Sequence, residues 1–276
     1  ISDLGLLPAD FGCLGERVGY YGNSLGDHFG VGHIFLAGEA PGLFYGYVTQ
    51  GIVQKEDITE NGIKYIKQDG SVGYYQTVNK TTPVAGDVKY VDRNGDGVVD
   101  DNDRDIIGNP NPDFTYGFQT KVSWKSLSLS ASFNGVQGRD ILNVGNRYNN
   151  TPGTKSNNVT RKAFQNMWTD ENPSNLYPKS TFVVQNMVMD RYVEDGSYLR
   201  CSDITLSYVL PAKWTNKIGI KNTSVYASVK NAFVITDYSG YDPEVNSFAF
   251  DGLRPGVDMN SYPTPRSFVF GLNLTF

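Results

Sequence analysis

The segment Ser267-Phe268-Val269-Phe270-Gly271-Leu272-Asn273-Leu274-Thr275-Phe276 decides the fold. Successive side chains of a strand point to opposite faces, so Phe268, Phe270, Leu272, Leu274 and Phe276 share one wall. Ser267, Gly271, Asn273 and Thr275 share the other, where Val269 is the one apolar exception. Ten residues tilted at ~45° rise roughly 24 Å, close to the ~25 Å apolar band of a membrane barrel. An ordinary sheet strand can alternate in the same way. The neighbouring segments therefore have to separate the two readings.

Working back from the end, Phe114, Tyr116, Phe118, Val122 and Trp124 alternate with Thr115, Gln119, Lys121 and Ser123. After the two-residue turn Lys125-Ser126, Leu127, Leu129, Ala131 and Phe133 alternate with Ser128, Ser130, Ser132 and Asn134. This reads as a hairpin with one greasy side and one hydroxyl-rich side, and the serine ladder suits a wet lumen better than a dry sandwich core. Further strands are expected at about 199–210, with Ile204, Leu206, Tyr208 and Leu210 on one face, and at about 223–235. The connections alternate between short (125–126), long (137–196), moderate (211–222) and long (236–266). Outer-membrane barrels have short periplasmic turns and long extracellular loops, so strands 114–124, 199–210 and 267–276 are read as running inward and 127–136 and 223–235 as running outward. The first long connection holds one expected helix, about 159–168, closed by Asp170-Glu171-Asn172-Pro173. Residues 1–113 read less clearly, with candidate strands at 42–53, 63–67 and 74–78.

Composition agrees. The 276 residues include 30 Gly, 18 Tyr and 15 Phe, which suits many turns and aromatic belts. Mean hydropathy is -0.37, and no run approaches the ~18 apolar residues of a membrane helix, which a barrel does not need. A net charge of -5 argues against a nucleic-acid partner. Cys13 and Cys201 are far apart and form no CxxC pattern; two unpaired thiols are the preferred reading and a disulfide between them the alternative. His28 and His33 lack a zinc-ligand pattern and are read as surface or loop residues. No nucleophile elbow, phosphate loop or Cys-His pair is present, and Asp170 and Glu171 beside Trp168 read as a solvated helix end, so an enzyme is not expected.

Asp92-Arg93-Asn94-Gly95-Asp96-Gly97-Val98-Val99-Asp100-Asp101-Asn102-Asp103 carries oxygen side chains at the spacing of a calcium loop. Asp92, Asn94, Asp96, Asp100 and Asp103 would supply side-chain oxygens and Val98 its backbone carbonyl. Gly97 falls where the chain turns sharply. Position 12 is Asp103 rather than the usual Glu, and its arm is shorter. The flanks, 88–91 and 106–108, look extended rather than helical, so a bound Ca2+ is expected to be structural rather than a switch. The other reading of the same residues is a run of Asx-turns without metal.

Gly86 to Asp103, followed by Ile107-Gly108-Asn109-Pro110-Asn111-Pro112-Asp113-Phe114-Thr115-Tyr116-Gly117-Phe118, resembles the signature of the SusC/RagA family of TonB-dependent outer-membrane transporters of Bacteroidetes. Family-like pieces recur in order: Gly38 to Tyr47, Tyr198-Leu199-Arg200, Lys230-Asn231-Ala232-Phe233, Gly240-Tyr241-Asp242-Pro243-Glu244 and Pro263-Thr264-Pro265-Arg266-Ser267. Residues 1–37 match poorly, and Cys201 stands where another residue type is expected. The resemblance implies an all-β fold: an antiparallel transmembrane β-barrel segment, the last strands of a large plugged barrel. It implies import of nutrient oligomers, usually glycans and sometimes peptides. A SusD-like surface lipoprotein would cover the mouth, and the TonB complex would drive uptake through an N-terminal part, plug and earlier strands that this chain lacks. It also implies that Phe276 belongs to a signal for the barrel-assembly machinery. On this reading residues 87–113, 137–196 and 236–266 are extracellular, and Tyr148, Trp168, Tyr238 and Tyr241, with Tyr177 and Tyr262, are candidate contacts for substrate or lipoprotein. The competing expectation is a secreted, calcium-stabilised β-sandwich that binds carbohydrate. The two differ in whether the apolar face is buried in protein or shown to lipid.

Overall fold

The computed structural model describes residues 11–14, 17–21, 32–151, 158–180, 187–215, 220 and 222–275. Phe276 and His28 lie outside them. The chain divides into two compact units. A sheet unit comprises 112–139, 195–245 and 262–276, and a loop unit comprises 1–111, 140–194 and 246–261.

The sheet unit is one five-stranded antiparallel meander in chain order. Its strands are β1 (Phe114–Trp124), β2 (Leu127–Gln137), β3 (Tyr198–Val209), β4 (Asn222–Thr236) and β5 (Ser267–Thr275). These are the five strands expected from the alternation, with ends shifted by at most one residue. Pairing Trp124 with Leu127 leaves Lys125-Ser126 as the turn, and Lys125 takes the left-handed φ of 54° that such a tight reversal needs.

The register carries the alternation across the whole sheet. Trp124, Leu127, Tyr208, Val225 and Leu272 form one transverse row, and Val122, Leu129, Leu206, Ala227 and Phe270 form the next. On the opposite face Ser123, Ser128, Ser207, Tyr226 and Gly271 are aligned, as are Lys121, Ser130, Thr205, Ser228 and Val269. The Tyr226 ring lies over Gly271, where a Cβ would stand 2.2 Å from it, so a larger residue there would make the ring shift. A bulge at Ser202 breaks the ladder between Cys201 and Asp203, and opposite it Asn231 takes a positive φ of 51°. Cys201 is buried there as a free thiol, between the strand positions of Phe133 and Phe233.

In chain order the segments of the loop unit precede β1, separate β2 from β3, and separate β4 from β5. The connection from β3 to β4 includes the short helix Ala212–Thr215.

The loop unit is built from strands of two to five residues. The segments 137–196 and 236–266, read as two separate loops, contribute 140–194 and 246–261 to this unit instead. Leu142 and Asn143 pair in parallel with Val257 and Asp258, and all three chain segments supply the core: Phe44, Tyr65, Tyr75 and Tyr90 from the first, Leu142, Val144 and Met189 from the second, and Val257 from the third. The expected helix 159–168 is shorter, Arg161–Asn166, capped by Thr160 Oγ1 accepting from Ala163 N–H at 3.1 Å. A second helix, Val144–Asn150, was not expected, since Val144-Gly145-Asn146-Arg147-Tyr148-Asn149-Asn150 has no apolar period. Among the described residues no helix is long and apolar enough to cross a membrane, which says nothing about strands.

Candidate functional site

The apolar face of the sheet is uncovered in this chain. Phe270 is 80% exposed, Phe268 66%, Leu272 57% and Leu274 43%. Val122 and Trp124 at the other edge are as open, at 65% and 67%. In water each such side chain would forgo on the order of 2 kcal/mol of burial. Contiguous apolar surface of this kind marks contact with lipid or with other protein. The opposite face satisfies its polar groups locally. Ser123 Oγ and Ser128 Oγ are 2.9 Å apart, and Thr205 Oγ1 donates to Ser228 Oγ at 2.9 Å. Asp203, 20% exposed at its side chain, accepts from Ser228 Oγ at 2.8 Å and pairs with Lys230 at 2.6 Å. A sandwich would cover the apolar face with a second sheet, and among the described residues none does so.

The acidic loop belongs to the loop unit. Asp92 and Asp103 are buried at 3% and 0% exposure. The Asp92 carboxylate accepts from the N–H groups of Gly95 (2.6 Å) and Gly97 (2.8 Å), and Tyr65 Oη donates to its backbone carbonyl at 2.7 Å. The Asp103 carboxylate accepts from Arg93 N–H (2.7 Å), Asn94 N–H (3.2 Å) and Asp100 N–H (2.8 Å). Asn94, Asp96 and Asp100 each accept from the N–H two residues on, at 2.8 Å, which is an Asx-turn. Gly97 has a φ of +86°, and a Cβ added there would meet nothing within 4 Å, so backbone conformation rather than space requires glycine. Val99 is fully buried, and Val98-Val99 pair in parallel with Thr77-Val78, which anchors the loop's second half to the core. Burial pushes the Asp103 carboxyl above its ordinary range; its three N–H donors oppose this, and the charge of Asp92 adds to it.

The six positions proposed for Ca2+ thus lie on one compact loop of hard oxygen donors, the chemistry calcium takes. In this conformation the carboxylates face the loop's own N–H groups. Among the described residues no three His, Cys, Asp or Glu side chains are grouped to hold a metal. The flanking segments are the strands Val88–Tyr90 and Arg104–Gly108, extended as expected.

The aromatic candidates separate. Trp168 is 9% exposed and donates its indole N–H to Gln54 Oε1 at 3.0 Å. Tyr177 and Tyr238 are 7% and 5% exposed. These three are packed within the chain. Tyr241 and Tyr262 stand open at 74% and 88%. The Tyr148 side chain lies outside the described residues. His33, read as a surface or loop residue, lies in the strand His33–Leu36 and is fully buried, with Nε2 2.9 Å from the Pro255 carbonyl. Sequence reasoning also missed a charge cluster in the sheet unit, in which buried Arg200 and Asp242 pair and the more exposed Glu244 joins Arg200.

No family model matches the chain. Relatives do. Two TonB-dependent receptors of Formosa agariphila are 35% identical over 201 residues and 33% identical over 248 residues, or 70% and 88% of this chain and 20% and 23% of those proteins. The TonB-dependent receptor SusC of Bacteroides thetaiotaomicron is 34% identical over 194 residues, 68% of this chain and 17% of SusC. Two solved structures also align, a RagAB peptide transporter (TM-score 0.63, 25% identity, 94% of this chain and 24% of that one) and the RagAB peptide importer in an open-open state (TM-score 0.60, 26% identity, 89% and 23%). The chain belongs to the SusC/RagA family of TonB-dependent receptors.

It spans about a fifth of the length of the curated relatives it matches. As a SusC/RagA-type chain it belongs to the outer membrane of Bacteroidetes, and its five-stranded sheet is a segment of a transmembrane barrel. The family-like pieces of sequence take on distinct structural jobs. Gly46 lets its strand approach the backbone carbonyl of Val188, where a Cβ would stand 2.4 Å away. From these pieces Tyr198, Arg200, Asp242, Glu244 and Thr264 meet in the charge cluster of the sheet unit.

Proposed function

We propose that this chain is part of the barrel wall of a SusC/RagA-type importer of nutrient oligomers, working with a SusD-like surface lipoprotein and energised through TonB. The observation that carries the reading is the sheet with one uncovered apolar face and one hydroxyl-lined face. Phe268, Phe270, Leu272 and Leu274 then face lipid, and Phe276 serves the assembly machinery. The hydroxyl-lined face looks into the lumen. Glycans are the substrate class expected from the family resemblance, and peptides are the cargo named for RagAB. Tyr241, open in the 237–245 connection, is the best-placed of the aromatic candidates for a substrate or lipoprotein contact. The test is growth of a strain lacking the complete gene on defined glycan or peptide oligomers as sole source, together with purification of the tagged transporter. Loss of growth on one class and co-purification of a surface lipoprotein are expected. Unchanged growth on every oligomer and purification without a lipoprotein would refute the reading.

The acidic loop is proposed to take one structural Ca2+ through Asp92, Asn94, Asp96, Asp100, Asp103 and the Val98 carbonyl. Two buried carboxylates in one short loop, with further oxygens on its rim, support this. Asn94, Asp96 and Asp100 would exchange their Asx-turns for the ion. Calcium titration of the complete transporter by calorimetry should show one site that Asp96→Ala weakens by tenfold or more. Absence of binding would leave the loop held by its own N–H groups alone.

A further inference from the structure

The excursion between β4 and β5 leaves the sheet at Thr236 and returns at Ser267. Its outgoing arm contains Asp242, 2% exposed, and β3 contributes Arg200, 5% exposed. Arg200 Nη2 donates to Asp242 Oδ1 at 2.5 Å, and Arg200 Nε lies 3.3 Å from Glu244 Oε2. Glu244 Oε1 accepts from Tyr198 Oη at 2.6 Å and from Asn134 Nδ2 at 3.0 Å, while Arg139 donates to the Pro243 carbonyl. Two arginines and two carboxylates therefore balance; Asp242 is buried and Glu244 lies at the exposed rim, and each carboxylate is bonded to more than one donor.

Asp242 does more than neutralise Arg200. Its Oδ1 accepts from Glu244 N–H and its Oδ2 from Thr264 N–H, both at 3.0 Å. Thr264 lies between Pro263 and Pro265, which have no N–H, so it holds the single backbone donor of that run. The one carboxylate thus joins the outgoing arm, the returning arm 22 residues later and the wall strand. Residues 246–261, which belong to the loop unit, lie between the two joined points.

We propose that Asp242 is a clasp that closes the neck of this excursion on Arg200, so that residues 246–261 are presented as one closed loop and not as two independent arms. Asp242 is then a positioning residue. The carboxylate is needed for its two acceptor oxygens as well as for its charge, so no single-acceptor side chain can replace it.

The experiment is amide hydrogen exchange, read by mass spectrometry, on the complete transporter in detergent. In the wild type the Thr264 amide should be protected. Asp242→Ala should speed exchange at Thr264 and across 246–261 by about tenfold or more, with β1, β2 and β3 unchanged. Thr264→Pro removes the backbone donor together with the Thr264 hydroxyl, which also bonds Asp242, and leaves Arg200 and Asp242 paired; it should speed exchange across 246–261 as well. Should Asp242→Ala fail to assemble, Thr264→Pro decides. Exchanging the charges, Arg200→Asp with Asp242→Arg, should not restore protection, because an arginine cannot accept from the Glu244 and Thr264 N–H groups. Wild-type exchange over 246–261 in Thr264→Pro would overturn the clasp. So would restoration by the charge exchange, which would make Asp242 a counter-ion only.

Discussion

The sheet unit and the loop unit obey the same strand alternation and dispose of it in opposite ways. In the hairpin Gly62–Ile66 and Val72–Tyr75, the inward positions Ile63, Tyr65 and Tyr75 are at most 3% exposed. In β5 the matching apolar positions are open to whatever surrounds the sheet, up to 80% at Phe270. The polar positions differ as well. The sheet unit bonds hydroxyls across neighbouring strands, whereas the loop unit folds carboxylates back onto its own backbone N–H groups. Alternation therefore tells which side chains share a face, and not what covers that face.

The sharpest way to break this comparison is to truncate one aromatic in each unit. Phe44, fully buried in the loop unit, should cost about 3–5 kcal/mol as Phe44→Ala. Phe270→Ala should cost markedly less, because lipid can follow the smaller side chain and no fixed cavity remains. Equal losses in denaturant unfolding of the complete transporter would show that protein covers β5. Next, Phe270→Arg should destabilise the barrel by about 2–4 kcal/mol when refolding into bilayers is measured. A neutral result would remove β5 from the lipid face.

Acid should act on the two units in different windows. Burial pushes the His33 imidazole below its ordinary pKa; its bond to Pro255 partly opposes that, and Arg254 reinforces it. His33 is therefore neutral when folded, and the loop unit should lose stability as pH falls below about 6.5, since the unfolded chain binds the proton first. His33→Gln should flatten that slope in thermal unfolding followed from pH 7.5 to 5. At Asp242 burial acts to raise the pKa, but the N–H groups of Glu244 and Thr264 and the charge of Arg200 outweigh it, and the net direction is down. Its contribution is present above the ordinary carboxylate value near ~3.9 and is lost as pH falls through the lower folded value. The neck should thus stay protected at pH 5, where the His33 effect is already developed. The smallest effect belongs to the polar face: Ser130→Ala should change stability by no more than about 0.5 kcal/mol.

The five wall strands were legible because each is long and keeps a period of two, so the pattern survives one misplaced residue such as Val269. The loop unit was not. Its strands are two to five residues long, its three segments are separated in sequence by the sheet, and the helix Val144–Asn150 has a polar sequence capped by Asn143. The acidic loop shows both limits at once. The spacing of its oxygens and glycines was readable, including the buried Val99, while the turning of Asp92 and Asp103 onto nearby N–H groups was not. The burial of Trp168 and His33 was not legible, because their hydrogen-bond partners Gln54 and Pro255 lie more than a hundred positions away.

The sequence by itself determined the strands, their two chemically distinct faces, the alternation of short and long connections and the family. These follow from local geometry, since a side chain's face depends only on its place along the strand. Tertiary structure alone decided that the long connections fold together into a second unit with its own core, which aromatics are buried, and that Arg200, Asp242 and Thr264 meet. The contacts of Asp242 with Arg200 and Thr264 join residues 42 and 22 positions apart, and only the register of β3 and the course of the returning chain bring them within hydrogen-bond distance.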